Sequence, residues 1–181
     1  MRYASEDLMN EHEGILFGLK ILEKMAEPLR GNKEVTVGDF QEMVNFLKLF
    51  ADKCHHGKEE GLLFPAMERA GIQKEGGPIG QMLLEHAIGR KYIAEMTDSL
   101  EDDRIDRHAF GDSANKYIEL LRSHIEKENK ILFPLGDKRI PLAEQEKLLE
   151  AFEQFEEDVM GRGTHEKLHQ LLHTFERRYL G

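Results

Sequence analysis

Apolar residues recur along the chain at alternating steps of three and four, the period of a helix face, and alternating β-branched runs are scarce. Leu8, Ile15, Leu19 and Leu22 predict a first helix from about Ser5 to Ala26, ended by Pro28 and the Arg30-Gly31-Asn32 stretch. Thr36 and Asp39 have capping-box spacing and open a second helix with Phe40, Val44, Leu47 and Ala51 inward. It should stop near Pro65 or just beyond, because proline kinks or ends a helix. Gly76-Gly77 marks a turn rather than a phosphate loop, since it has neither G-x-G-x-x-G nor GK[ST] and no strand precedes it. Pro78 then begins a third helix through Ile79, Met82, Ile93 and Met96 to about Leu100. Asp106 caps a fourth, from about Arg107 to Phe133, with Phe110, Ala114, Tyr117 and Leu121 inward. Pro141 opens a fifth helix to about Met160, and Gly161-Arg162-Gly163 separates a last one ending at Tyr179. The pattern predicts an all-α, up-and-down four-helix bundle over residues 1–138, with a two-helix extension, 139–181, packed on it.

Ionisable residues interrupt each of the four long stripes. The inward positions read Leu8, His12, Ile15 on the first helix and Ala51, His55, Glu59, Leu62 on the second. They read Met82, His86, then Gly89 or Arg90, then Ile93 on the third, and Leu121, His124, Glu128, Ile131 on the fourth. A buried imidazole or carboxylate costs free energy unless it is paired or binds a metal. One such histidine reads as a hydrogen-bonded core residue; four of them with two glutamates read as a designed layer. Residues at i and i+4 differ by about 40° around a helix, so His55/Glu59 and His124/Glu128 each aim two groups to one side. The phrase H-x-x-K-E-x-x-x-L-F-P occurs twice, from His55 and from His124, and Glu-His precedes each copy, at Glu11-His12 and Glu85-His86. Two such helical hairpins predict a pseudo-symmetric cage for two metal ions. If both glutamates bridge, each metal receives two oxygens and two imidazole nitrogens and keeps open positions. That donor set suits iron, with zinc or manganese as alternatives.

Composition narrows the function classes. Over 181 residues the net charge is -10 with arginine and lysine scattered, which excludes a general nucleic-acid or anionic-membrane binder. No apolar run has the length of a membrane span, and the acidic N-terminal stretch lacks the apolar core of a signal peptide. The single cysteine, Cys54, points to a reducing, cytoplasmic setting.

At Asn10-Glu-His-Glu-Gly-Ile15, His55–Pro65, Leu83-Leu-Glu-His-Ala-Ile-Gly-Arg90 and His124–Pro134 the sequence resembles the hemerythrin-like, HHE cation-binding family. The resemblance implies a bundle around a non-haem di-iron centre, oxo- or hydroxo-bridged, that binds or reacts with O2, peroxide or nitric oxide, or handles iron. It implies His12, His55, His86 and His124 as terminal ligands and Glu59 and Glu128 as bridges. The oxygen-carrying members have a second histidine one turn further along the third helix, and an aspartate at i+5 on the fourth. Here Arg90 and Glu128 stand instead, which favours sensing or processing over reversible oxygen carriage.

Several further residues carry expectations. His56 reads equally as an extra ligand, as a residue supporting a ligand from outside, or as solvated, and Glu60 is an alternative to Glu59. Glu11, Glu13 and Glu85 read as a solvated face, with orientation of an imidazole N–H as the alternative. Arg90 is expected to pair with a bridging glutamate or to reach water, and Cys54 and Tyr117 to pack in the core. His165, His169 and His173 share one face of the last helix and read as a polar edge packed on the bundle, with a second metal site or a lid of histidines near the bundle mouth as alternatives.

Overall fold

The computed structural model describes residues 2–27, 34–101 and 103–181; Pro28 and the Arg30-Gly31-Asn32 helix stop fall outside them. Among the described residues there are six helices and no strands. Helix α1 is Ala4–Ala26. Helix α2 begins as Val37–Phe46, winds through π-helical Leu47–His56 and Glu59–Leu63, and ends as Phe64–Arg69. Helix α3 is Pro78–Asp98. Helix α4 is Arg107–Lys127, continued by π-helical Glu128–Leu132 and by Phe133–Arg139. Helix α5 is Leu142–Met160, and α6 is Thr164–Phe175 with a final π turn, Glu176–Leu180. The Thr36 hydroxyl accepts from the Asp39 N–H at 3.1 Å, and the Asp106 carboxylate accepts from the Ala109 N–H at 3.0 Å, so both expected caps form.

Helix α1 packs on α2 and α4, and α3 packs on the same two, which closes an up-and-down ring. Helix α5 lies across α1 and α2, and α6 lies along α1. The approach of α5 is close: a Cβ at Gly57 would come within 2.7 Å of the Phe155 ring.

Both Leu-Phe-Pro phrases leave a π turn immediately behind the glutamate. Proline supplies no N–H, and its ring needs room against the carbonyl four residues back, Gly61 for Pro65 and Lys130 for Pro134. Admitting one extra residue per turn makes that room. The Phe64 N–H donates to the Glu59 carbonyl, and the Phe133 N–H to the Glu128 carbonyl, each five residues back. The helices therefore run through proline, and α4 reaches Arg139 rather than stopping at Phe133. The wider turn also shifts the buried stripe by one residue. Leu63 and Leu132 are buried, whereas Ile131, expected inward, is 62 % exposed and Leu62 is half-buried.

The ionisable layer divides the core into two apolar clusters. Leu8, Leu63, Phe64, Ile79, Met82, Leu132 and Phe133 belong to one, and Ile15, Ala51, Cys54, Ile93, Leu121 and Ile125 to the other. On all four bundle helices the histidines fall where the stripe passes from one cluster to the other.

Candidate metal centre

His12, His55, His86, His124, Glu59 and Glu128 are brought together with at most 1 % of any of them exposed. Glu59 lies between two imidazoles, its oxygens 3.2 Å from His55 Nε2 and 3.1 Å from His86 Nε2. Glu128 lies between the other two, 3.1 Å from His12 Nε2 and 3.4 Å from His124 Nε2. Two groups with ligand atoms close enough for one metal ion result: His12, His55, Glu59 and Glu128, and His56, Glu59, His86 and His124. All four carboxylate oxygens, and the Nε2 atoms of His12 and His55, are buried without a hydrogen bond of proper geometry. Buried polar atoms are rarely left so, and these converge on one place. The residues present fit a pair of metal ions.

The other face of three imidazoles is held by a residue from a neighbouring helix, and the fourth faces one at longer range. His55 Nδ1 lies 2.7 Å from Glu11, and His12 Nδ1 lies 2.7 Å from Asn129 Oδ1. His86 Nδ1 lies 2.8 Å from Glu60, and His124 Nδ1 faces Glu85 at 4.0 Å. The lysine of each repeated phrase closes the arrangement, Lys58 donating to Glu11 and Lys127 to Glu85. Such outer contacts fix the tautomer and orientation of a ligating imidazole. Glu11 and Glu85 are thus buried partners of His55 and His124, not a solvated face. The sequence signal was present in the paired Glu-His and H-x-x-K phrases, but the contact joins different helices. Glu60 sits one step outside the layer, on His86 rather than in place of Glu59.

Electrostatics follow from this packing. Burial alone would depress the His55 pKa, yet Glu59 and Glu11 push it up to about 10. His124 is likewise raised against burial, by Glu128 and Glu85, to about 10. For Glu59, burial and the Glu128 charge act upward, and the histidines outweigh them, leaving it at about 2. Glu128 is held well below the usual carboxylate range, because His124 and His12 overcome its burial. His56 goes the other way: burial and the neighbouring His86 drive it well below 6.5, so its ring is neutral.

His56 is buried with its ring stacked on His86, centroids 3.9 Å apart. Ile125 occupies the equivalent step after His124, so the two halves of the cage differ in imidazole number. Arg90 binds neither Glu59 nor Glu128. It donates to Asp52 at 2.9 Å and to Glu60 at 2.8 Å, and those carboxylates lie against His56 Nδ1 at 3.5 Å and His86 Nδ1. Cys54 is buried with its thiol pushed up to about 12 by burial, and Tyr117 is buried with its hydroxyl unpartnered.

The hemerythrin HHE cation binding domain matches residues 3–136, the stretch that supplies every residue of this layer. The chain belongs to that family. As an HHE domain it is a metal-binding helical protein. It is also similar to proteins of Mycobacterium tuberculosis and Mycobacterium bovis described as uncharacterized, at 25 % identity over 87 % of this chain. The chain spans 63 % of the length of those relatives. No solved structure matches the HHE chain. None of its described helices is long and apolar enough to cross a membrane.

Proposed function

We propose that the chain is a non-haem di-iron protein that binds or reacts with O2, peroxide or nitric oxide, in sensing, detoxification or iron handling. His12 and His55 would hold one metal, His86 and His124 with His56 the other, and Glu59 and Glu128 would contact both. The observation that carries this reading is the set of buried, unpartnered oxygens and Nε2 atoms facing one another. Each such atom left unmade costs about 1–3 kcal/mol, and two cations would satisfy all of them together. The donor set suits iron, with zinc and manganese as alternatives.

When bound, a metal pair supplies open coordination positions and electron exchange to a small ligand. The chain's own residues do the rest. Glu11, Glu60, Glu85 and Asn129 orient the imidazoles, and the two apolar clusters keep bulk water from the layer. The net charge of -10 argues against nucleic acid or anionic membrane as partner. The lone, buried Cys54 is compatible with a reducing cytoplasm. Residues 139–181 are read as an extension of the bundle.

The test is metal content per chain after anaerobic purification, with visible spectra before and after air. Two irons and an oxygen-dependent band support the proposal, and Glu59→Gln or Glu128→Gln should abolish that band. Two irons without any response to air, peroxide or nitric oxide would make the protein an iron store or donor. Zinc, or no metal after iron reconstitution, would leave a structural bundle.

A further inference from the structure

The bundle layer leaves one ligand-bearing cluster unused. His165 and His169 stand at i and i+4 on α6, with ring centroids 4.5 Å apart. Both rings rest against Phe50 of α2, at 5.3 and 5.8 Å. Together with Phe50, Arg2, Asp7, Asn10, Glu11 and Glu156, they line a cavity of about 310 Å3 between α1, α5 and α6. Two histidines one turn apart on a helix form a two-point chelate for a divalent transition metal, and His-Glu-Lys-Leu-His is that arrangement in sequence. Glu166 is exposed and takes the Gln170 amide at 3.4 Å, so it is not placed as a base for metal-assisted hydrolysis.

Three carboxylates and one guanidinium line the cavity, which favours a cation. Two of the three are already committed. Asp7 is paired with Arg2, and Glu11 holds His55 and Lys58. Glu156 is the looser one, 3.5 Å from Lys58 and 34 % exposed at its side chain.

We propose that His165 and His169, facing the acidic cavity between α1, α5 and α6, form a second, mononuclear, two-histidine site for a zinc- or copper-type divalent cation. The proposal does not rest on the iron reading.

The test is calorimetric titration of the iron-loaded full chain with Zn2+, with iron content measured before and after. One Zn2+ per chain, taken up without loss of iron, is expected. His165→Asn and His169→Asn should each lose it. With Cu2+ as the probe, the electron paramagnetic resonance signal should show two nitrogen ligands, reduced to one in His165→Asn. Uptake that survives the double histidine variant, or no uptake at all, overturns the proposal. So does uptake that disappears in His173→Asn alone, since His173 lies on Phe17 and Glu176 instead. Repeating the titration in a Glu59→Gln/Glu128→Gln chain keeps this result separate from the fate of the bundle layer. Unchanged circular dichroism certifies each variant's fold.

Discussion

At the scale of single residues, the centre depends on groups one contact removed from it. Glu11 is the clearest case, because it serves His55 and the almost fully buried Lys58 at once. Glu11→Ala would leave that ammonium only the looser Glu156, 3.5 Å away, a loss approaching that of a broken buried pair, about 3–5 kcal/mol. A large drop in the denaturation midpoint is expected, along with metal affinity weaker by about 10–100-fold, the usual effect of losing an outer partner. Equilibrium denaturation and competitive chelation measure the two. The layer also sets a pH profile for the metal-free protein. His55 and His124 are raised from 6.5 to about 10, so their stabilisation is complete below 6.5 and is lost as pH rises through about 10. Glu59 is lowered from 4.5 to about 2, so its contribution is present above 4.5 and is lost as pH falls toward 2. Melting of the metal-free chain should therefore be highest between the two free values and decline towards alkaline pH; a flat profile up to pH about 10 would contradict the ion-paired layer. The sequence made the six inward-facing ligand candidates legible, because they fall on apolar stripes. It left Glu11 and Glu85 divided between a solvated face and imidazole orientation, since a glutamate beside a core histidine looks like surface until its partner arrives from another helix.

At the scale of the helix, the repeated phrase encodes geometry as well as ligands. Its proline follows a π turn that gives the ring room, and that turn decides which leucine or isoleucine faces inward. Leu132→Ala should cost about 2–5 kcal/mol as a core truncation. Ile131→Ala should stay within about 0.5 kcal/mol, as an exposed change does. Chemical denaturation of the two variants distinguishes the π turn from ordinary α winding, which would bring Ile131 to the inner face. A 3.6-residue period read along the chain misses this shift, because a single wide turn leaves no mark in hydropathy. The caps at Thr36 and Asp106 were legible for the opposite reason: they depend on residues three apart in sequence and on nothing distant.

At the scale of the molecule, four long helices and two short-range extension helices could be read from the chain, while the seating of α5 and α6 could not. That seating depends on particular fits, such as Phe155 over Gly57 and Phe152 beneath the Lys58 ammonium, its ring centre 5.5 Å away. The division of the apolar interior into two clusters has a consequence for cooperativity. The halves share four helices but meet through a charged waist, which does not hold them together as hydrocarbon packing would. Local opening can then follow the waist, and each half becomes a separate cooperative unit. Calorimetry of the metal-free chain should give a van't Hoff enthalpy below the calorimetric one, the mark of more than one transition. Cross-linking all four helices at the waist should bring the two enthalpies together, so that the occupant of the layer determines whether this chain melts as one body or as two.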